Sequence, residues 1–249
     1  TGAQISGVEI INIRNSGSST VVFDASTTPG VTRVNADIGT GNLSVSNLTA
    51  GSTVGLKGDG AVTLGAYTFA YAAGVTAADV VIEDSVISGG HTLTLNGSGL
   101  TSATLTSRGA ANTLASSSFF LPTTLASLTI NAQSNLVTGA FLNMAVASSI
   151  TINGAGVVDL GTLNTNVISL DASANSGGIK ATLNSSPVLV VKGSSGNDTF
   201  TTGAVLGAGA SIDAGAGAGA LDRLIVSGST FLTPATAPYY KGFEQLQLN

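Results

Sequence analysis

Within this 249-residue chain, the residue types and spacing best suited to chemistry lie in Gly193-Ser194-Ser195-Gly196-Asn197-Asp198-Thr199-Phe200-Thr201. Glycines let a backbone turn tightly enough for its carbonyls to face inward, and Asp198 supplies a hard anionic oxygen. The apolar Phe200 then starts a short buried strand. Hard oxygens suit calcium, which takes about six to eight of them, more than one turn provides. A second turn must therefore stack beside the first. Ala214-Gly215-Ala216-Gly217-Ala218-Gly219-Ala220-Leu221-Asp222-Arg223-Leu224 is the candidate, with Asp222 and Leu224 at the acid and apolar positions and Asp213 just before it.

The first turn matches the nonapeptide G-G-x-G-x-D-x-U-x of calcium-binding β-rolls at the fourth, sixth and eighth positions, with Ser194 replacing the second glycine. The second is longer than that pattern by two residues and carries alanines where ligands would stand. A reading without metal stays open, in which Asp198 only closes a glycine-rich turn.

Catalytic constellations are sparse. His91, the one histidine, sits in Gly89-Gly90-His91-Thr92 and reads as a turn residue rather than the base of a hydrolytic triad. Glu83 and Asp84 are the adjacent carboxylates that a calcium-dependent polysaccharide lyase would need. No Arg or Lys is near them in sequence, and strand alternation puts one outward and the other inward or at a corner. Asp24, Asp37, Asp59, Asp159 and Asp171 are isolated in sequence. Tyr239-Tyr240 reads as packing at a strand edge rather than as a sugar platform. The chain is therefore expected not to be an enzyme.

Composition agrees. Charged residues make up 8% and aromatics 5%, with 33 Gly, no Cys and no Trp, so Ser, Thr, Asn and Gly must cover the surface. A net charge of −5 with eight scattered cations leaves no basic stripe for phosphates, which argues against nucleic acid. No apolar run approaches the length of a membrane span. The first residues, Thr1-Gly2-Ala3-Gln4, are neither a start Met nor a signal peptide, so the chain is expected to be a fragment whose export signal lies outside it.

These turns must be held by strands, and short strands recur along the whole chain. Residues 20–23, 80–82, 92–96, 127–131, 149–153, 167–171 and 188–191 alternate with a period of two and end in Gly, Asn, Asp or Ser. An apolar–Ser/Thr–apolar triplet followed by Asn96, Asn131, Asn153 or Asp171 recurs, the last three at spacings of 22 and 18 residues. Such spacing fits one coil of a parallel β-helix. The Asn or Asp is expected at the coil corner, where it tolerates left-handed backbone, with a β-sandwich turn as the alternative. Tyr67, Phe69 and Tyr71 predict an aromatic-faced strand. Residues 110–122, with a Ser run and Pro122, predict an excursion rather than a central strand. The expected fold is all-β, a right-handed parallel β-helix or β-solenoid with β-roll turns near the C-terminus. Residues 1–190 form its Ser/Thr/Gly-rich part and 191–249 its calcium-binding coils and terminal capping strand.

Gly7-Val8-Glu9-Ile10-Ile11-Asn12-Ile13 and Gly242-Phe243-Glu244-Gln245-Leu246-Gln247-Leu248 share G-[V/F]-E-x-[I/L]-x-[I/L] at the two ends. With the Gly-Asn-Asp turn, the Gly-rich turn and Asp222-Arg223-Leu224-Ile225-Val226, this order resembles type I-secreted, RTX-related surface-layer (S-layer) proteins of the Caulobacter type, chiefly over residues 191–249. The resemblance implies a secreted structural protein of the bacterial cell surface, folding with calcium and self-associating into a two-dimensional array. Contact with lipopolysaccharide would come through regions outside this fragment. Its motif-matched metal positions are Asp198 with Gly193, Ser195, Gly196 and Asn197, and Asp222 with Gly217, Gly219 and Asp213. Related RTX adhesins share these motifs, so the stalk or binding region of an adhesin is the alternative.

Overall fold

A computed structural model describes residues 6–60, 65–87, 92–114, 119–138, 141–142, 144–145, 147–184, 186, 188–228 and 231–249. His91 and the Ser116–118 run lie outside the described residues. The chain winds as a right-handed-type β-solenoid of about nine coils in which every strand pairing is parallel. Three sheets form its walls. An eleven-stranded sheet runs the full length, from Ile10–Ile13 to Tyr240–Lys241. A six-stranded sheet, from Val21–Asp24 to Phe141–Leu142, closes the N-terminal coils. A seven-stranded sheet, from Asn112–Leu114 to Gln245–Leu248, closes the C-terminal ones. The expected boundary at 190/191 falls inside Val190–Lys192, a rung of the long sheet.

Period-two alternation explains the core. In the long sheet Val34, Val54, Val80, Leu105, Ile130 and Ile152 occupy one register column, and all are buried. Each such side chain contributes roughly 1.5–3 kcal/mol by leaving water. Tyr67 and Phe69 point inward from Tyr67–Tyr71, as their alternation predicts. The segment read as an excursion behaves differently. Phe119–Phe120 is an interior rung of the six-stranded sheet, between Leu93–Asn96 and Phe141–Leu142, and Phe119 is buried. A two-residue rung leaves Pro122 outside the ladder, where its missing N–H costs nothing.

The expected corner residues also move. Asn131 lies within Ser127–Ala132, Asn153 within Ser148–Gly154, Asp171 within Val167–Asn175, and Asn96 ends Leu93–Asn96. Alternation carries them to the same outward face as the preceding Thr or Ser. A ladder does form there, since Asn153 Nδ2 donates to Asn131 Oδ1 at 3.1 Å. The buried corners are held by other asparagines. Asn15 donates to the Ser19 and Asn42 carbonyls and accepts from Gly17 N, while Asn175 accepts from Gly177 N and Gly178 N and donates to the Gly156 carbonyl. Short polar side chains there mimic a missing backbone partner.

Register also organises the few charges, which are scattered in sequence. Arg14, Asp37, Lys57, Glu83 and Arg108 stand one per coil down an outward column, with signs alternating. Arg14 meets Asp37 at 3.7 Å and Arg108 meets Glu83 at 2.8 Å. A second column near the C-terminus reads Asp171, Lys192, Asp213, Lys241. No helix among the described residues is long and apolar enough to cross a membrane.

Candidate metal centre

The two glycine-rich turns link the same pair of walls. Lys192 pairs with Asp213 before them and Thr199 with Arg223 after them, so the second turn stacks on the first. Glycine is required for this approach. A Cβ on Gly193 would stand 1.9 Å from the Ala214 carbonyl oxygen, and one on Gly217 would stand 1.9 Å from that of Ser195. The motif's glycines thus serve close stacking as well as turning.

Asp198 and Asp222 close these turns, each at the residue before a strand of the seven-stranded sheet. Both are buried. Their carboxylates reach back along the solenoid axis. Asp198 Oδ1 accepts Ile179 N at 2.6 Å, Asp222 Oδ1 accepts Asp198 N at 2.7 Å, and Glu244 Oε2 accepts Asp222 N at 2.7 Å. Three acids on successive coils therefore form one column, each satisfying a backbone donor of the coil before. Glu244 was flagged in the sequence only through its likeness to Glu9. That likeness marks a shared position just before a strand, Ile10–Ile13 in the long sheet and Gln245–Leu248 in the seven-stranded one.

Burial sets the electrostatics. It pushes the Asp198 carboxyl up to about 6, against hydrogen bonds from Ser194 and Ile179 and with the Asp222 charge adding to the rise. Burial also raises Asp222, opposed by its bond from the Asp198 N–H and reinforced by the charge of Glu244. Carboxylates one coil apart disfavour joint ionisation.

A calcium ion fits this donor set in part. Asp198 is already engaged by Ile179 N, by Ser194 N at 2.7 Å on Oδ2 and by Ser194 Oγ at 2.8 Å on Oδ1. Asp222 and Glu244 each keep one oxygen with no protein donor among the described contacts. No three Asp, Glu, His or Cys side chains converge closely enough to hold a metal among the described residues. Asp213 stands outward in the second charge column, between Lys192 and Lys241, and its Oδ1 accepts Gly215 N. Ser194, absent from the motif-matched positions, is the chief donor to Asp198. Asn197 Oδ1 accepts Leu221 N at 2.9 Å, tying the first turn to the second, and Ser195 N donates to the Asn175 carbonyl. Gly196 packs on the backbone of residues 176–178, and Gly219, at φ +81°, has open space around it.

The remaining acids separate as alternation predicts. Glu83 faces outward and pairs with Arg108, which is remote in sequence but adjacent in register. Asp84 turns the corner at φ 50° and accepts Ala110 N. Tyr240 packs edge-on to Phe243, which is edge-on to Phe200, so the terminal tyrosine lies in an aromatic seam. No known protein family, no curated protein and no solved structure matches this chain.

Proposed function

We propose that this chain is a structural segment of a secreted, surface-layer-type protein whose C-terminal coils are completed by calcium. One observation carries this reading. The column occupied by Asp198, Asp222 and Glu244 passes upstream through Ile179, Val158 and Leu136 to Asn112, whose Oδ1 accepts Ser85 N at 2.7 Å. A neutral amide therefore does the same backbone task in the upstream coil. The three downstream acids add negative charge that this task does not need, and a divalent cation is the natural complement. Asp222 and Glu244, with neighbouring turn carbonyls, would hold it, while Asp198 orders the turn. Calcium supplies charge neutralisation and oxygen coordination, and its binding free energy adds to folding. The sparse charge and neutral polar walls support packing against copies of the chain rather than catalysis.

The test is calorimetric titration with calcium, run beside thermal unfolding in calcium, magnesium or chelator and light scattering for assembly. Calcium is expected to raise the unfolding midpoint and promote self-association, with Asp222→Asn and Glu244→Gln abolishing both. An unchanged midpoint and unchanged particle size in calcium would remove the proposal.

A further inference from the structure

The outward face of the long sheet carries a hollow of about 270 Å³ near its N-terminal coils, walled by Asn12, Arg33, Asn35, Lys57, Glu83 and Arg108. Its floor is Gly55, aligned between Asn35 and Val81. A Cβ on Gly55 would stand 2.0 Å from Asn35 Oδ1 and 3.2 Å from Arg33 Nη2, so the glycine lets both side chains lie down on the sheet. A relay fixes them. Arg33 Nε donates to Asn35 Oδ1 at 2.7 Å, and Asn35 Nδ2 donates to Asn12 Oδ1 at 2.7 Å. The terminal amino groups of Arg33 and the amide nitrogen of Asn12 have no protein acceptor among the described contacts.

Charge in the hollow is unbalanced. Three cations line it against one carboxylate, and that carboxylate is taken, because Glu83 Oε2 accepts from both Arg108 Nε and Arg108 Nη2. Neither Arg33 nor Lys57 has an ion-pair partner within 4.0 Å among the described residues. Burial, with the like charge of Arg108 adding, pulls the Arg33 guanidinium below its ordinary pKa, against the pull of Glu83. A half-buried guanidinium with no carboxylate at ion-pair distance is a poor structural device and a good receptor for one.

The walls narrow the ligand. The Asn12 amide nitrogen beside the cations offers donors for hydroxyl groups, and the buried Asn35 holds it and Arg33 in place. Ile10 is the one apolar residue of the lining, so a protein side chain finds little to anchor on. A polyphosphate backbone needs a longer run of cations than this patch supplies. We infer that the hollow binds the carboxylate of an acidic sugar, a uronate, with the Arg33 terminal amino groups on the carboxylate, Lys57 as a second positive charge, and the Asn12 amide nitrogen on ring hydroxyls. This inference is independent of calcium, whose proposed position is in the C-terminal coils.

Calorimetry or chemical-shift titration of the whole chain with glucuronate, glucose, acetate and sulfate tests it. Glucuronate is expected to bind saturably and glucose not at all, with acetate and sulfate weaker by about tenfold, the loss of one or two hydroxyl contacts. Arg33→Gln and Lys57→Gln should each weaken glucuronate by about tenfold, as expected for losing a charge-assisted contact. The Lys57 side chain makes no described hydrogen bond, so its variant tests the site even if Arg33→Gln perturbs folding. Lys192→Gln, in the distant charge column, should change nothing. Absence of saturable glucuronate binding, or binding indifferent to Lys57→Gln, would overturn the site. Sulfate binding as tightly as glucuronate would overturn its assignment to a sugar.

Discussion

Two coils of this solenoid meet the same corner with different chemistry. At Asn112 a buried amide accepts Ser85 N, and its Nδ2, with two hydrogens to give, is ringed by the Ile82, Arg108 and Ala110 carbonyls and the Ser107 and Ser134 hydroxyls. At Asp198 a buried carboxylate accepts Ile179 N and then two donors from Ser194. The upstream corner is surrounded by acceptors and needs a donor; the downstream one is surrounded by donors and needs a second acceptor. Each residue is matched to its turn, yet only the downstream column accumulates charge. Geometry alone is satisfied by either chemistry, so the charge is the part that asks for a function.

The comparison breaks most sharply by exchange. Asn112→Asp would aim an ionised oxygen at three carbonyls and is expected to cost about 3–5 kcal/mol, the scale of an uncompensated buried charge. Urea unfolding with unchanged slope measures it. Gly193→Ala comes next, at about 3 kcal/mol, because the neighbour it strikes is a backbone carbonyl that cannot step aside. Gly51→Ala, where positive φ is the only obstacle, should cost about 1 kcal/mol in the same assay. Asp198→Asn must oppose its new NH₂ to a backbone donor and should lose about 1–3 kcal/mol, the cost of a buried unmade hydrogen bond.

Acidity sharpens the contrast without mutation. The folded-state pKa of Asp198, about 6, lies above its ordinary 3.8, so the folded chain holds this proton more tightly than the unfolded one. Stability of the C-terminal coils should therefore fall as pH rises between those two values and level off above them. Hydrogen exchange at the Ile179 and Asp198 amides reads this locally. Asp171 acts in the opposite direction, since Ser173 first and Lys192 after it hold its carboxyl low. Its contribution is lost only below the ordinary Asp range. Calcium should flatten the Asp198 dependence, and a slope unaltered by calcium would separate the acid column from metal binding. The smallest effect belongs to the surface, where Glu83→Gln breaks one exposed rung and should cost below about 1 kcal/mol.

How much of this was legible follows from what alternation encodes. Ser127–Ala132 and Ser148–Gly154 were readable to within a residue or two, because inward Leu and Ile alternate with outward Ser, Thr and Asn. The same alternation misplaced Asn131 and Asn153 at corners, since a polar residue after an apolar triplet looks alike whether the strand continues or turns. Neither the charge ladder nor the column from Asn112 to Glu244 could be read. Both depend on which residue lies above which, and the column partners of Ile10 fall at 33, 53, 79 and 104, with no fixed period. Loops of unequal length absorb the difference. The stacking of the glycine turns was legible because calcium chemistry requires two of them. Saturation of Asp198 by Ser194 was not, because the motif places glycine where this chain has serine.

The continuous parallel pairing of the long sheet also has a temporal meaning. Each rung hydrogen-bonds to the rungs directly before and after it, so a chain delivered end first need not await its remote segments. Every finished rung offers the next arrival a ready-made edge, and ordering can advance as a travelling front. In such a process the acid column, carried by the C-terminal coils of this chain, would set after the other coils in a chain delivered from its N-terminal side and before them in one delivered from its C-terminal side.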